Sequence, residues 1–118
     1  MKKMKSITIY KKWDIILVLF PFTDLKTTKK RPALIISPNE YNEKLDVVIA
    51  FITSKLVSEY RTGDYKIQEW EQSNLPKPSM IRMKFATIDK SIIVKRIGKL
   101  SEKDKAEFKK LLIDFFTK

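Results

Sequence analysis

The chain has 118 residues, enough for one domain with one core. Lys and Arg number 25 against 14 Asp and Glu, and the formal net charge of +11 favours polyanionic partners, either nucleic acid or an acidic protein. Cysteine and histidine are both absent, which excludes disulfides, thiolate and imidazole metal sites, thiol nucleophiles and the Ser-His-Asp triad.

Residues 1–12 are lysine-rich and read as a basic tail or an extra strand ahead of a single domain over 13–118. No continuous apolar segment with a small-residue cleavage site follows, so no secretory signal is expected. The longest apolar run, Ile15 to Phe22, is broken by Pro21 and falls far short of the roughly 18 residues of a membrane span. The expected location is the cytoplasm, without a membrane partner. Asp14 to Phe22 reads as a buried strand of β-branched and bulky residues, its regular pairing ended by Pro21. Thr23 to Lys30 is polar and reads as a loop. Arg31 to Ser37 returns as a second strand, with Pro32 near its start, where a missing N–H is tolerated, and Pro38 and Asn39 closing it.

Asp46 to Thr53 is the third predicted strand, carried by Val47, Val48, Ile49, Phe51 and Ile52. Thr62-Gly63-Asp64 is a turn signal before a weaker strand at Tyr65 to Ile67. Pro76 and Pro78 flank a loop leading to Ser79 through Met83, and Ile92 to Leu100 is the last predicted strand. The period then changes. Ser101-Glu102-Lys103-Asp104 fits a capping box, and Phe108, Leu111, Leu112, Phe115 and Phe116 follow as one apolar stripe of a helix. Five or six short strands with one C-terminal helix predict a mainly β fold built on a small, strongly bent sheet or barrel. With only two glycines, a glycine-rich phosphate loop is excluded, and no cofactor is expected.

The positive charge is segregated. Residues 1–37 carry nine basic against two acidic residues, 38–94 are balanced, and 95–118 carry eight against four. Inside the first block, Asp14-Ile-Ile-Leu-Val-Leu-Phe-Pro-Phe-Thr-Asp-Leu25 is followed by Lys30-Arg-Pro-Ala-Leu-Ile-Ile-Ser37. This pairing resembles the signature of the MazF/PemK toxins of type II toxin–antitoxin systems: a strand ending in F-P-F-T-D, a basic loop, then R-P-A-L-V-V-S. Phe51-Ile-Thr-Ser54 resembles the family's I-T-S strand end. Ser79-Met-Ile-Arg82, Thr87-Ile-Asp-Lys90 and Ile97-Gly-Lys-Leu-Ser101 resemble its C-terminal half. The likeness runs over about residues 13 to 116.

The resemblance implies an SH3-like β-barrel of the CcdB/PemK type with a C-terminal helix, acting as a homodimer. It implies metal-independent, sequence-selective cleavage of single-stranded RNA (mRNA) to 2′,3′-cyclic phosphate and 5′-hydroxyl ends, and neutralisation by an acidic, partly disordered antitoxin. Arg31 and Thr53 take the catalytic positions. Arg31 offers a planar fork that pairs two phosphate oxygens, although by itself it would read as a surface arginine at a strand edge. Thr53 offers a hydroxyl to the scissile phosphate, although threonine is also an ordinary strand residue. Lys26, Thr28, Lys29, Lys30, Ser54, Lys55, Arg82 and Lys84 are the expected RNA contacts, and no metal ligand is expected.

Phe20 or Phe22 could supply a ring for stacking a base. Two departures from the family pattern stand out. Trp13 occupies a position where the family usually has glycine, and the loop reads Lys26-Thr-Thr-Lys-Lys30 where some members carry an acid. General acid–base catalysis contributes about 10²–10⁴-fold, so the missing acid predicts a slow enzyme or an RNA-binding protein that does not cut. A CcdB-like inhibitor that binds DNA gyrase is the other reading of the same barrel.

Overall fold

The computed structural model describes residues 8–21, 28–56 and 61–118. Strands β1 (Asp14–Pro21) and β2 (Thr28–Ile35) form an antiparallel hairpin, paired from Ile15 opposite Leu34 out to Pro21 opposite Thr28. The second strand therefore begins three residues earlier than the sequence suggests. A ladder is made by backbone groups, so Lys29 and Lys30 join it while their side chains stay exposed. The strand also ends earlier, at Ile35, because the Ser37 hydroxyl accepts the Val48 N–H at 2.9 Å in place of a ladder bond. The same hydroxyl bonds to the buried Asn42, the last residue of a one-turn helix α1 (Asn39–Asn42).

Strand β3 (Asp46–Thr53) lies where predicted. Strand β4 is reduced to Tyr65–Lys66, and where the sequence marks only a loop leading to Ser79 through Met83, β5 (Met80–Asp89) is a full ten-residue strand. A 3₁₀ turn at Lys90–Ile92, capped by the Asp89 carboxylate accepting from Ser91 N–H, leads into β6 (Ile93–Lys99). The sheet order is β4-β5-β3-β2-β1-β6, with every neighbouring pair antiparallel. The edge strands β4 and β6 are not bonded to each other, so the expected β-rich fold with its C-terminal helix is present but the barrel is open.

Both faces of the central strands are buried, which explains why β1 reads as continuous apolar sequence rather than alternating. Ile15, Leu34, Ala50 and Ile52 pack with Ile81, Leu100 and Phe108 on one face. Ile16, Val18, Ala33, Ile35, Val47, Ile49 and Ile88 form the core of the other. The half-buried residues completing that second cluster come from the strands themselves, the 3₁₀ turn and Tyr10, so the sheet closes this face by curling over it. Helix α2 (Glu102–Thr117) covers the first face. Phe108 is fully buried, and the ring contributes about 1.5–3 kcal/mol. The stripe is only half used, since Leu111 and Leu112 are partly buried while Phe115 and Phe116 are exposed.

The helix start corrects the capping-box expectation in one respect. Ser101 Oγ accepts from Asp104 N–H at 3.1 Å, as expected. The Asp104 carboxylate, fully buried, instead accepts from Tyr65 Oη at 2.5 Å, Gln68 N–H at 2.9 Å and Glu69 N–H at 2.8 Å. It anchors the loop after β4 to the helix while also accepting from Ser101 Oγ at 3.2 Å within its own turn.

Candidate nucleic-acid interface

Strands β2 and β3 pair Ile35 with Ile49, Leu34 with Ala50 and Ala33 with Phe51. The last of these pairs, Ala33 with Phe51, stands two residues from Arg31 on β2 and two from Thr53 on β3. Arg31 and Thr53 line one groove of about 340 Å³ at the end of the strands. Its apolar lining includes Pro32, the buried Ile52 and Leu75, and Pro76. Lys29, Lys30, Lys55 and Lys77 are exposed around it, and Arg31 is half-buried between them. Among the described residues, the lining thus holds five cations and no carboxylate, a concentration of positive charge that attracts anionic chains.

The Thr53 hydroxyl accepts the Lys55 N–H at 3.1 Å, which bends the chain out of β3 and presents Ser54 to the same groove. A hydroxyl that accepts once still has its proton to donate. Across the groove, Ser79 Oγ donates to the Lys77 carbonyl at 2.8 Å and the Ser79 carbonyl accepts from Ile67 N–H at 2.9 Å. These bonds, with Pro76 and Pro78 on either side, hold Lys77 beside the end of β3.

The structure brings together Lys29, Lys30, Arg31, Thr53, Ser54 and Lys55 of the expected site residues. Arg82 and Lys84 do not join them. They border a second hollow of about 250 Å³ with Arg61, Thr62, Asp64, Met83 and Phe115. The cause is a bulge in β5: Phe85 pairs with Ala50 and Ile81 with Ile52, so Arg82, Met83 and Lys84 together face the single residue Phe51. Arg82 is turned toward the buried Asp64, with nitrogen and oxygen 3.8 Å apart. Lys26 lies outside the described residues, and Thr28 enters the description through its backbone pairing with Pro21. Phe22 is likewise outside, while Phe20 is half-buried against Phe51, ring centroids 4.9 Å apart.

Sequence reading missed Lys77. Its signal is the Pro-Lys-Pro triplet, a lysine on a stiff segment, but only the tertiary fold brings that segment to Thr53. The glycine position occupied by Trp13 is also accounted for. Trp13 has φ of 77°, a left-handed conformation that a glycine adopts without strain. Tyr65, whose ionisation is pushed far up by burial and by its bond to the Asp104 carboxylate, does not line the groove and reads as structural.

Among the described residues no group of three or more His, Cys, Asp or Glu could hold a metal ion, and no helix is long and apolar enough to cross a membrane. The family model of PemK-like, MazF-like toxins of type II toxin–antitoxin systems matches residues 11–116. A sequence comparison with curated proteins gives no match. Among solved structures, the Mycobacterium tuberculosis toxin MazF-mt6 superposes with a TM-score of 0.69 at 18% identity, covering 87% of this chain and 95% of that one. The MazE–MazF complex of Deinococcus radiodurans gives 0.72 at 15% identity, over 92% of this chain and 97% of that one. An endoribonuclease in complex with its cognate antitoxin from a mycobacterial species gives 0.69 at 15%, over 92% and 93%. At these identities the structural likeness establishes the fold.

Proposed function

We propose, for a chain that belongs to the PemK-like, MazF-like toxins of type II toxin–antitoxin systems, that the Arg31–Thr53 groove binds single-stranded RNA and cleaves it. The observation that carries this reading is the groove itself: a guanidinium from β2 and a hydroxyl from the end of β3, ringed by lysines and, among the described residues that line it, free of carboxylates. RNA brings its own nucleophile. The 2′-oxygen attacks the adjacent phosphorus in line, the bond to the 5′-oxygen breaks, and the products are a 2′,3′-cyclic phosphate and a 5′-hydroxyl. The 2′-hydroxyl proton leaves and the 5′-oxygen gains one, so solvent can balance the exchange.

The protein's part is alignment and charge. Arg31 pairs two nonbridging oxygens of the phosphorane through its fork, and the strand ladder behind it holds that fork before the reaction begins. Thr53 donates its remaining proton to a nonbridging oxygen. Lys29, Lys30, Lys55 and Lys77 bind the flanking phosphates, each adding to a salt-dependent affinity. Lys26, Thr28 and Ser54 complete the contact set, with Arg82 and Lys84 reached by a strand that runs on into the second hollow. The same single-sign groove suits the acidic segment of an antitoxin, which would compete with RNA for it. The acting unit is proposed to be a homodimer in the cytoplasm. Its support on this chain is the exposed ring cluster of Phe115 and Phe116 against Phe85, tested by sedimentation of a Phe116→Ser variant, expected to be monomeric.

The deciding experiment incubates the purified chain with a mixed RNA pool in the presence of a chelator and maps the new ends. Cyclic-phosphate and 5′-hydroxyl ends, lost in a folded Arg31→Ala variant, support the reading. Undiminished cleavage by that variant overturns it. The lack of a carboxylate among the described lining residues favours one second reading, an RNA-binding protein that does not cut, for which the same pool would be bound and recovered intact.

A further inference from the structure

The bulge in β5 places three residues, Arg82, Met83 and Lys84, opposite one, Phe51. It ends with Lys84 Nζ standing over the Phe51 ring, 5.5 Å from its centre. Bulges beside functional sites re-aim side chains, and this one aims a cation at an aromatic face. Phe51 itself is half-buried, with Phe20 packed on it at a tilt of 53°, so the ring is fixed in place rather than loosely exposed.

Its position gives the contact meaning. Phe51 lies two residues before Thr53 on the same side of β3, about 7 Å away at the usual rise per residue. Its partner across the ladder, Ala33, lies two residues from Arg31. The Ala33–Phe51 rung is the last of the β2–β3 ladder, two residues from Arg31 on one strand and from Thr53 on the other. The Phe51–Lys84 pair also stands between the two hollows, since Thr53 lines the first and Lys84 the second. Phe51 adjoins a lining residue of each hollow, Ile52 in sequence and Lys84 in space, so a single strand reaching from one to the other can pass this ring. Protein groups that hold unpaired bases do so by stacking on aromatic faces backed by cations.

We infer that Phe51, with Lys84 above it, is a base-binding subsite: a base of the nucleotide next to the scissile phosphate stacks at the Phe51 ring while Lys84 moves from the ring to a phosphate. The inference rests on the nucleic-acid-binding reading above, and adds to it a residue that the family motifs do not supply.

The test uses the full chain and a random-sequence single-stranded RNA pool carrying 2-aminopurine. A second copy of the pool has 2′-deoxyribose, which lacks the nucleophile and is not cut. With the deoxy pool, wild type is expected to bind and quench 2-aminopurine fluorescence. Phe51→Leu is expected to lose the quench and about 5- to 150-fold in affinity, the range for one base–aromatic stack. Phe51→Tyr should retain both, and Lys84→Gln should lower the salt slope of log K by about 0.7, which Phe51→Leu, removing no charge, should not. Should the leucine variant fail to fold, Phe51→Met replaces it as a flexible filler without a ring.

A folded, ringless variant that binds and quenches as wild type overturns the inference, as does a wild type that gives no quench. If wild type quenches the deoxy pool but leaves RNA uncut, the subsite stands and the nuclease reading falls. If wild type cuts RNA and the ringless variant cuts and binds equally well, the nuclease stands and the subsite falls.

Discussion

Tyr65 Oη donates to Asp104 Oδ1 at 2.5 Å across 39 residues of sequence, joining the shortest strand of the sheet to the first turn of the C-terminal helix. The carboxylate is wholly buried and is satisfied by the phenol, two backbone N–H groups and Ser101 Oγ at 3.2 Å. Hydrogen bonds to a charged group contribute about 1.5–3 kcal/mol, so Tyr65→Phe is expected to lower stability by that amount at neutral pH. Burial, then the bond to Asp104, raises the Tyr65 ionisation well above its ordinary value. The contribution is complete below the unfolded tyrosine pKa of about 10. Above it the unfolded chain loses the proton while the folded chain keeps it, so stability falls as pH rises. Urea unfolding between pH 8 and 11 should show this decline in wild type, and a shallower decline in Tyr65→Phe.

Trp13 combines a strained backbone with useful contacts. Its N–H donates to the Ile35 carbonyl at 2.7 Å, its carbonyl accepts from Leu100 N–H at 3.0 Å, and its ring meets Phe108 edge-on at 6.3 Å. The left-handed conformation costs a non-glycine residue about 1–2 kcal/mol. Losing a packed aromatic costs more, about 3 kcal/mol at the lower end of the range. Both Trp13→Gly and Trp13→Ala should therefore be less stable than wild type. The glycine variant should be the better of the two by about 1 kcal/mol, because alanine keeps the strain and loses the ring. Equal midpoints for the two variants in chemical denaturation would contradict this account.

Gly98 needs its missing side chain for a different reason. A Cβ there would sit 2.4 Å from the Ser73 carbonyl oxygen, a backbone atom that cannot rotate away. The segment it touches is held by Asn74 Nδ2 donating to the Ile97 carbonyl at 3.1 Å. Gly98→Ala is expected to cost about 1–3 kcal/mol through overpacking. The loss should appear as a lowered melting temperature.

Strand β3 was legible in the sequence because its apolar run is bounded by polar ends and buried on both faces, so its limits coincide with a change of composition. The start of β2 was not, because Thr28, Lys29 and Lys30 owe their strand to pairing with β1 rather than to their own character. Strand β5 was hidden by its bulge: Arg82 and Lys84 break the alternation that would have marked it, and the register shift is a property of two strands together. Arg31 and Thr53 were identified through motif resemblance, and both line the same groove. Lys77 and Phe51 owe their positions to distant segments, which no local pattern encodes.

Charge stabilisation and strand binding should separate when the groove is dissected. Arg31→Lys keeps one positive charge in place but removes the fork, so under the proposed function it would lose the two parallel bonds that follow the phosphate into the phosphorane. The expected loss is about 10²–10³-fold in kcat, the cost of removing an oxyanion donor, with the salt slope of binding preserved because the charge count is the same. Thr53→Val, which keeps the strand shape and loses the donor, should fall in the same way. Lys77→Gln removes a charge from the rim and nothing from the reacting centre. Its loss should fall on KM, with the slope of log K against log salt reduced by about 0.7. Single-turnover cleavage at several salt concentrations measures both quantities. A Lys77→Gln variant that lost kcat as severely as Arg31→Lys would mean that the lysine, and not the arginine, faces the scissile phosphate.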